Sequence, residues 1–120
     1  MILLTGELGS GKTTFVQGLA KGLQIPHRLV SPTFILVKRY PLKNLPFDWF
    51  FHVDLYRVAN KLAIGTLGLD EIFTDPANIA AIEWWERLGK SVPHESILMT
   101  FEQNQTDSNK RLISIEGIEL

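Results

Sequence analysis

The sequence predicts an α/β fold, a mixed and mainly parallel sheet flanked by helices, and three observations carry the prediction. Short continuous apolar runs at residues 1–5 and 78–82 have the character of strands buried on both faces. The first run leads through a glycine-rich turn into a segment of helical period. Two further pairs of strand-like segments are joined by connections short enough for hairpins, which makes the sheet mixed.

Each element has a local reason. From Lys12 onward Phe15, Val16, Leu19, Ala20 and Leu23 share one face at a 3.6-residue spacing, and Gly22 followed by Ile25-Pro26 ends the helix. After Ser31-Pro32-Thr33, segments 34–40 and 47–53 are rich in β-branched and aromatic residues, and the proline-bounded stretch 41–46 links them as a hairpin loop. Segment 61–73 is partly helical, interrupted by Gly65 and Gly68, with 68–73 a short helical turn. Segments 95–102 and 111–116 read as strands around the polar connection 103–110. No repeat or low-complexity tract divides the chain, so residues 1–120 are expected to form a single domain.

Composition removes several function classes. The chain has no cysteine, which excludes disulfide frameworks, thiolate catalysis and cysteine-ligated zinc or iron–sulfur sites. Twelve basic against thirteen acidic residues leave a net charge of -1, too little for a bulk electrostatic grip on nucleic acid. The longest apolar runs fall well short of a membrane span and residues 1–4 are too short for a signal core, so a cytoplasmic protein with no membrane attachment is expected.

The chemistry begins at Gly6-Glu7-Leu8-Gly9-Ser10-Gly11-Lys12-Thr13, which fits G-x-x-x-x-G-K-[ST] at every fixed position and lies between a strand and a helix. Glycines there let backbone amides curl into a nest, and the helix N-terminus adds partial positive charge, so main chain can bind phosphate. In such a P-loop Lys12 bridges β- and γ-phosphates and Thr13 Oγ1 ligates Mg²⁺. A nucleoside triphosphate site also needs acids at the ends of neighbouring strands. Asp54 closes the run 49–53 and Glu83 closes 79–82, with Trp84 and Trp85 able to shield Glu83 from bulk water. An ordinary surface acid is the competing reading for both. Thr33 lies where a switch hydroxyl can sense γ-phosphate, or else is a strand-start residue held extended by Pro32. His52 reads as a structural histidine, and Arg57 as a partner of Asp54 or phosphate, or simply as surface cover. Trp84 and Trp85 read as packing anchors, and Lys38, Arg39 and Lys43 as a solvated hairpin. The guanine-reading N-K-x-D motif is absent.

Five ordered blocks, 6–15, Ser31-Pro32-Thr33-Phe34, His52-Val53-Asp54-Leu55-Tyr56-Arg57, Leu67-Gly68-Leu69-Asp70-Glu71 and Ile82-Glu83-Trp84 with Glu86-Arg87, resemble the bacterial TsaE-type ATPase family over nearly the whole chain. The resemblance implies a small P-loop ATPase with a mixed sheet, acting with the threonylcarbamoyl transferase subunit and its dimerisation partner and reaching tRNA through them. Its ATP hydrolysis would sustain repeated threonylcarbamoyladenosine modification at A37, while another enzyme makes the threonylcarbamoyl-adenylate. Carried onto this chain, ATP is held by Gly9, Ser10, Gly11, Lys12, Thr13 and Thr14, and Mg²⁺ by Thr13 and Glu83. Asp54 and Thr33 belong to the γ-phosphate and switch region, Trp84 sits beside the active carboxylate, and Arg111 approaches the nucleotide. Lys12, Glu83 and Asp54 are the expected catalytic residues.

Three departures accompany the resemblance. The family's usual strand and helix before the P-loop strand, with residues near the adenine, are expected to be absent. The usual Glu-Trp-Pro is Glu83-Trp84-Trp85, and a common acid is replaced by Arg39. Two other readings stay open at this point. One is a nucleotide-gated assembly module with incidental hydrolysis. The other is a small P-loop kinase, for which the residues after Glu83 offer neither an acceptor pocket nor an arginine-bearing lid.

Overall fold

The apolar run at the head of the chain forms β1 (Ile2–Thr5), which lies inside a six-stranded sheet. The computed structural model describes residues 1–26, 37–58 and 64–117. In chain order α1 (Lys12–Gly22), β2 (Val37–Pro41), β3 (Trp49–Asp54), α2 (Leu69–Thr74), β4 (Asn78–Glu83), a 3₁₀ segment (Trp85–Ser91), β5 (Ile97–Gln103) and β6 (Arg111–Glu116) follow. The strand order is β2-β3-β4-β1-β5-β6. The four inner strands are parallel, and β2 and β6 pair antiparallel at the two edges, so the expected mixed, mainly parallel α/β sheet is what the chain forms.

Strand alternation explains the two layers. Neighbouring residues on one strand point to opposite faces, so Leu4, Phe50 and Ala81 join Val16 and Ala20 of α1 in one core, together with Met99 and Phe101. Leu3, Phe51, Ala80 and Ile82 join Leu69 of α2 and Leu88 of the 3₁₀ segment in the other. Complete burial of Leu4, Phe50 and Ile82 stabilises the fold by roughly 1.5–3 kcal/mol each. Because both faces are covered, the inner strands are nearly continuous apolar runs, which is why periodicity exposed them in the sequence.

The register puts chemistry at one end of the sheet. Leu4 pairs with Glu83 and Asp54 with Glu83, so the C-terminal ends of β1, β3 and β4 finish level. Ligands of open α/β sheets bind outside those ends. Element bounds differ from expectation by a residue or two: β3 extends to include Asp54, and β5 starts at Ile97 rather than residue 95. The 3₁₀ segment was not expected, because it follows a left-handed turn at Trp84 (φ 59°) that a tryptophan does not advertise. The first part of the expected hairpin strand, residues 34–36, and residues 61–63 lie outside the described residues. Among the described residues no helix is long and apolar enough to cross a membrane.

Candidate nucleotide site

The loop from β1 to α1 is shaped by close approach and by positive φ. A Cβ on Gly6 would stand 2.8 Å from the Phe101 carbonyl oxygen and 2.5 Å from Ser10 Oγ, so only glycine lets the loop pass this near β5. Gly9 (φ 78°) and Gly11 (φ 108°) take left-handed conformations at no steric cost. The Ser10 N–H donates to the Glu7 carbonyl at 3.0 Å and folds the turn. Gly11 caps α1 with no side-chain hydrogen bond, and the first intrahelical donor is the Phe15 N–H, onto the Gly11 carbonyl at 2.9 Å. The amides of Lys12, Thr13 and Thr14 precede it and have no carbonyl one turn back, which leaves a positive helix end open for an anion.

Two side chains in the loop carry the same message. Lys12 is only 7% exposed and makes no ion pair among the described residues; its Nζ lies 5.0 Å from the centroid of the Trp84 ring. A desolvated ammonium costs several kcal/mol, whereas a ring face returns about 2 kcal/mol. The difference is available to a phosphate. Ser10 Oγ is buried with no hydrogen-bond partner among the described residues.

The opposite wall is made of strand-end side chains. Glu83 is 4% exposed and His52 1%, and His52 Nε2 lies 2.7 Å from Glu83 Oε2. Asp54 Oδ1 accepts the Tyr56 backbone N–H at 2.9 Å. Burial pushes the Asp54 carboxyl above its ordinary value of 3.8; the Tyr56 N–H opposes this, the Glu83 charge adds to it, and His52 and Lys12 oppose it. The Tyr56 and Trp84 rings pack with centroids 4.9 Å apart, closing the wall over Lys12. Behind them the Trp85 indole N–H donates to Thr5 Oγ1 at 2.8 Å, tying the loop after β4 to the strand that feeds the P-loop. On the far side Arg111 donates from Nη2 to the Gly9 carbonyl at 3.4 Å.

Between these walls lies a cleft of about 820 Å³ lined by residues 8–15 together with Asp54, Tyr56, Arg57, Glu83, Trp84, Phe101, Arg111 and Ile113. That is ample for a nucleotide. The fold therefore gathers Gly9, Ser10, Gly11, Lys12, Thr13, Thr14, Asp54, Glu83 and Arg111 around one space, while Thr33 lies outside the described residues. No group of three or more His, Cys, Asp or Glu able to hold a metal occurs among the described residues. One hydroxyl, Thr13, and one carboxylate, Glu83, on the same cleft are a sufficient protein contribution for Mg²⁺, which keeps waters and takes substrate phosphate as further ligands.

Sequence reasoning missed three connections. His52 is buried as a structural histidine would be, yet its partner is the site carboxylate. The signal was its spacing of two from Asp54, which puts both on the same face of β3. The Lys12–Trp84 and Trp85–Thr5 contacts join residues far apart in the chain and left no local trace. Lys38 stands over Tyr40 and Arg39 over Trp49, so these two cations of the edge strand cover rings on opposite faces of the sheet.

Comparison with known proteins supplies a family. Residues 1–113 match the family described as threonylcarbamoyl adenosine biosynthesis protein TsaE. The tRNA threonylcarbamoyladenosine biosynthesis protein TsaE of a Nostoc species is 42% identical over 106 residues, covering 84% of this chain and 62% of the relative. Its counterpart in Synechocystis is 44% identical over 91 residues, 73% of this chain and 55% of the relative. That of Bacillus subtilis is 34% identical over 117 residues, covering 98% and 70%. The crystal structure of Bacillus subtilis YdiB superposes with a TM-score of 0.72 at 32% identity, covering 95% of this chain and 65% of that one. The chain thus spans less than two-thirds of the length of the Nostoc and Synechocystis relatives. On a match that takes in all but the last seven residues, the chain belongs to the TsaE family.

Proposed function

We propose that this chain binds ATP with Mg²⁺ and hydrolyses it in support of tRNA threonylcarbamoyladenosine formation at A37, acting with the threonylcarbamoyl transferase subunit and its dimerisation partner. The observation that carries the reading is Lys12, a buried cation with no carboxylate partner among the described residues, seated where open helix amides meet a cleft. The relatives named for this biosynthesis support the pathway.

In this reading the phosphates lie on the loop from Gly9 to Thr14, with Ser10 Oγ and the amides of Lys12, Thr13 and Thr14 donating to their oxygens. Lys12 leaves the Trp84 face and neutralises charge on the β- and γ-phosphates. Thr13 Oγ1 and a Glu83 oxygen would hold Mg²⁺, which when bound would withdraw electron density from the phosphate oxygens. Asp54, whose proton affinity burial has raised, accepts a hydrogen bond from the attacking water. Arg111, already on the Gly9 carbonyl, stands at the mouth of the loop where it can reach the nucleotide.

The test is Mg²⁺-dependent ATP turnover with and without the transferase subunits, for the unaltered chain and for Lys12→Ala and Glu83→Ala. We expect both substitutions to lower partner-dependent turnover by about 10²–10³-fold. Turnover untouched by either, or complete multi-cycle tRNA modification with a non-hydrolysable analogue, contradicts the proposal.

A further inference from the structure

Glu83 is asked to hold a single orientation from the last position of β4, where it is 4% exposed and its carboxylate needs a partner inside the protein. Among the described residues one side chain hydrogen-bonds its carboxylate, His52 at 2.7 Å. The two belong together by register. His52 pairs with Ala81 across the parallel β3–β4 ladder, and Glu83 lies two residues beyond Ala81 on the same face. His52 itself does not line the cleft; it stands behind Glu83, 1% exposed.

The direction of the bond follows from what surrounds the ring. Among the described residues His52 Nδ1 is buried with no partner. A proton there would be an orphaned donor inside the protein, whereas a bare nitrogen forfeits only an acceptor's hydrogen bond. The tautomer that wastes least carries its proton on Nε2 and donates it to Glu83 Oε2. That oxygen is then committed, and Oε1 is the one left to serve the cleft.

We infer that His52 is a positioning residue, which by donating from Nε2 to one oxygen of Glu83 holds the other toward Mg²⁺ or water. The inference rests on the proposed ATPase reading and adds to it the residue that sets the carboxylate's orientation. It assigns His52 no contact with substrate. Outer hydrogen-bond partners of this kind typically govern about 10–100-fold in activity.

The geometry dictates the variants. The amide nitrogen of Gln reaches the place of Nε2, whereas that of Asn stops near the place of Nδ1. His52→Asn is expected to lower the kcat of partner-dependent ATP turnover by about 10–100-fold with KM nearly unchanged. His52→Gln is expected to restore it to within a few-fold of the unaltered chain. In a Glu83→Ala background His52→Asn is expected to cause no further loss. A purely structural histidine gives the opposite pattern: Gln no better than Asn, with activity following thermal stability. That outcome, or equal activity of all three chains, overturns the inference. If His52→Asn does not fold, the ring ¹⁵N spectrum of the unaltered chain decides: a proton on Nε2, with or without a second on Nδ1, supports the inference, and a bare Nε2 overturns it. A Glu83→Ala variant with full turnover is the failure of the ATPase reading itself, whereas a Glu83→Ala variant that is inactive beside a fully active His52→Asn sinks the positioning role alone.

Discussion

One wall of the cleft is backbone and the other is side chain. The loop wall from Gly6 to Thr14 gets its shape from glycine conformations, from one close pass beside Phe101 and from amides that α1 leaves open. The strand-end wall of Asp54, Glu83 and Trp84, with His52 behind Glu83, gets its shape from ladder register and from a hydrogen bond between residues 31 positions apart. A backbone wall is rigid and reads charge and shape, which suits holding phosphate. A side-chain wall can place an acid or a water at a chosen point, which suits the chemistry. Lys12 belongs to the first wall by sequence and touches the second through the Trp84 ring.

Breaking the loop wall is expected to have the largest effect. Lys12→Ala removes the charge that the buried site is missing a partner for, and the affinity for ATP should fall by about 10²-fold or more, measured by calorimetry. Next comes Gly6→Ala, whose methyl group meets the Phe101 backbone and cannot be relieved by a side-chain rotation. A loss of about 1–3 kcal/mol of stability is expected in denaturant unfolding. Trp85→Phe acts on the other wall, because it cuts the Thr5 hydrogen bond that ties the loop after β4 to β1. About 1 kcal/mol should be lost, visible as a lower melting temperature.

The smallest effect on stability is expected at Asp54. Its proton affinity is higher in the folded protein than in the unfolded chain, so the folded state binds the proton more readily and the ionised carboxylate disfavours the fold. Asp54→Asn keeps an oxygen for the Tyr56 N–H and removes that charge. At neutral pH it should raise the melting temperature slightly while lowering turnover. The difference in melting temperature should shrink as pH falls through the raised Asp54 pKa, because the unaltered chain then takes up its own proton. A melting difference that grows in acid contradicts the raised proton affinity.

The two walls were also unequally legible in the sequence. Most of the loop wall could be read, because what it needs is contiguous: Gly6, Gly9 and Gly11 at fixed spacing, Lys12, and an amphipathic helix to follow; its close pass beside Phe101 and the Lys12–Trp84 contact left no local signal. Asp54 and Glu83 were legible as acids closing apolar runs, since strands buried on both faces announce their own ends. Their partnership with His52 was not, because it depends on which strands lie side by side and in what register, and β3 and β4 are linked by 23 residues of chain. The left-handed turn at Trp84 and the 3₁₀ segment after it were hidden for a related reason. Nothing in Glu83-Trp84-Trp85 favours positive φ locally; the turn coincides with the packing of the Trp84 ring between Lys12 and Tyr56 and the anchoring of Trp85 to Thr5.

The division of labour between the walls is open to one direct measurement, the affinity and the turnover of Glu83→Gln for ATP with Mg²⁺, determined side by side by calorimetry and by phosphate release in the presence of the transferase subunits. The expected result is an affinity within a few-fold of the unaltered chain and a turnover lower by about 10²-fold. Turnover that survives the substitution, or affinity and turnover that fall together, would contradict the assignment of holding to the loop and chemistry to the strand ends.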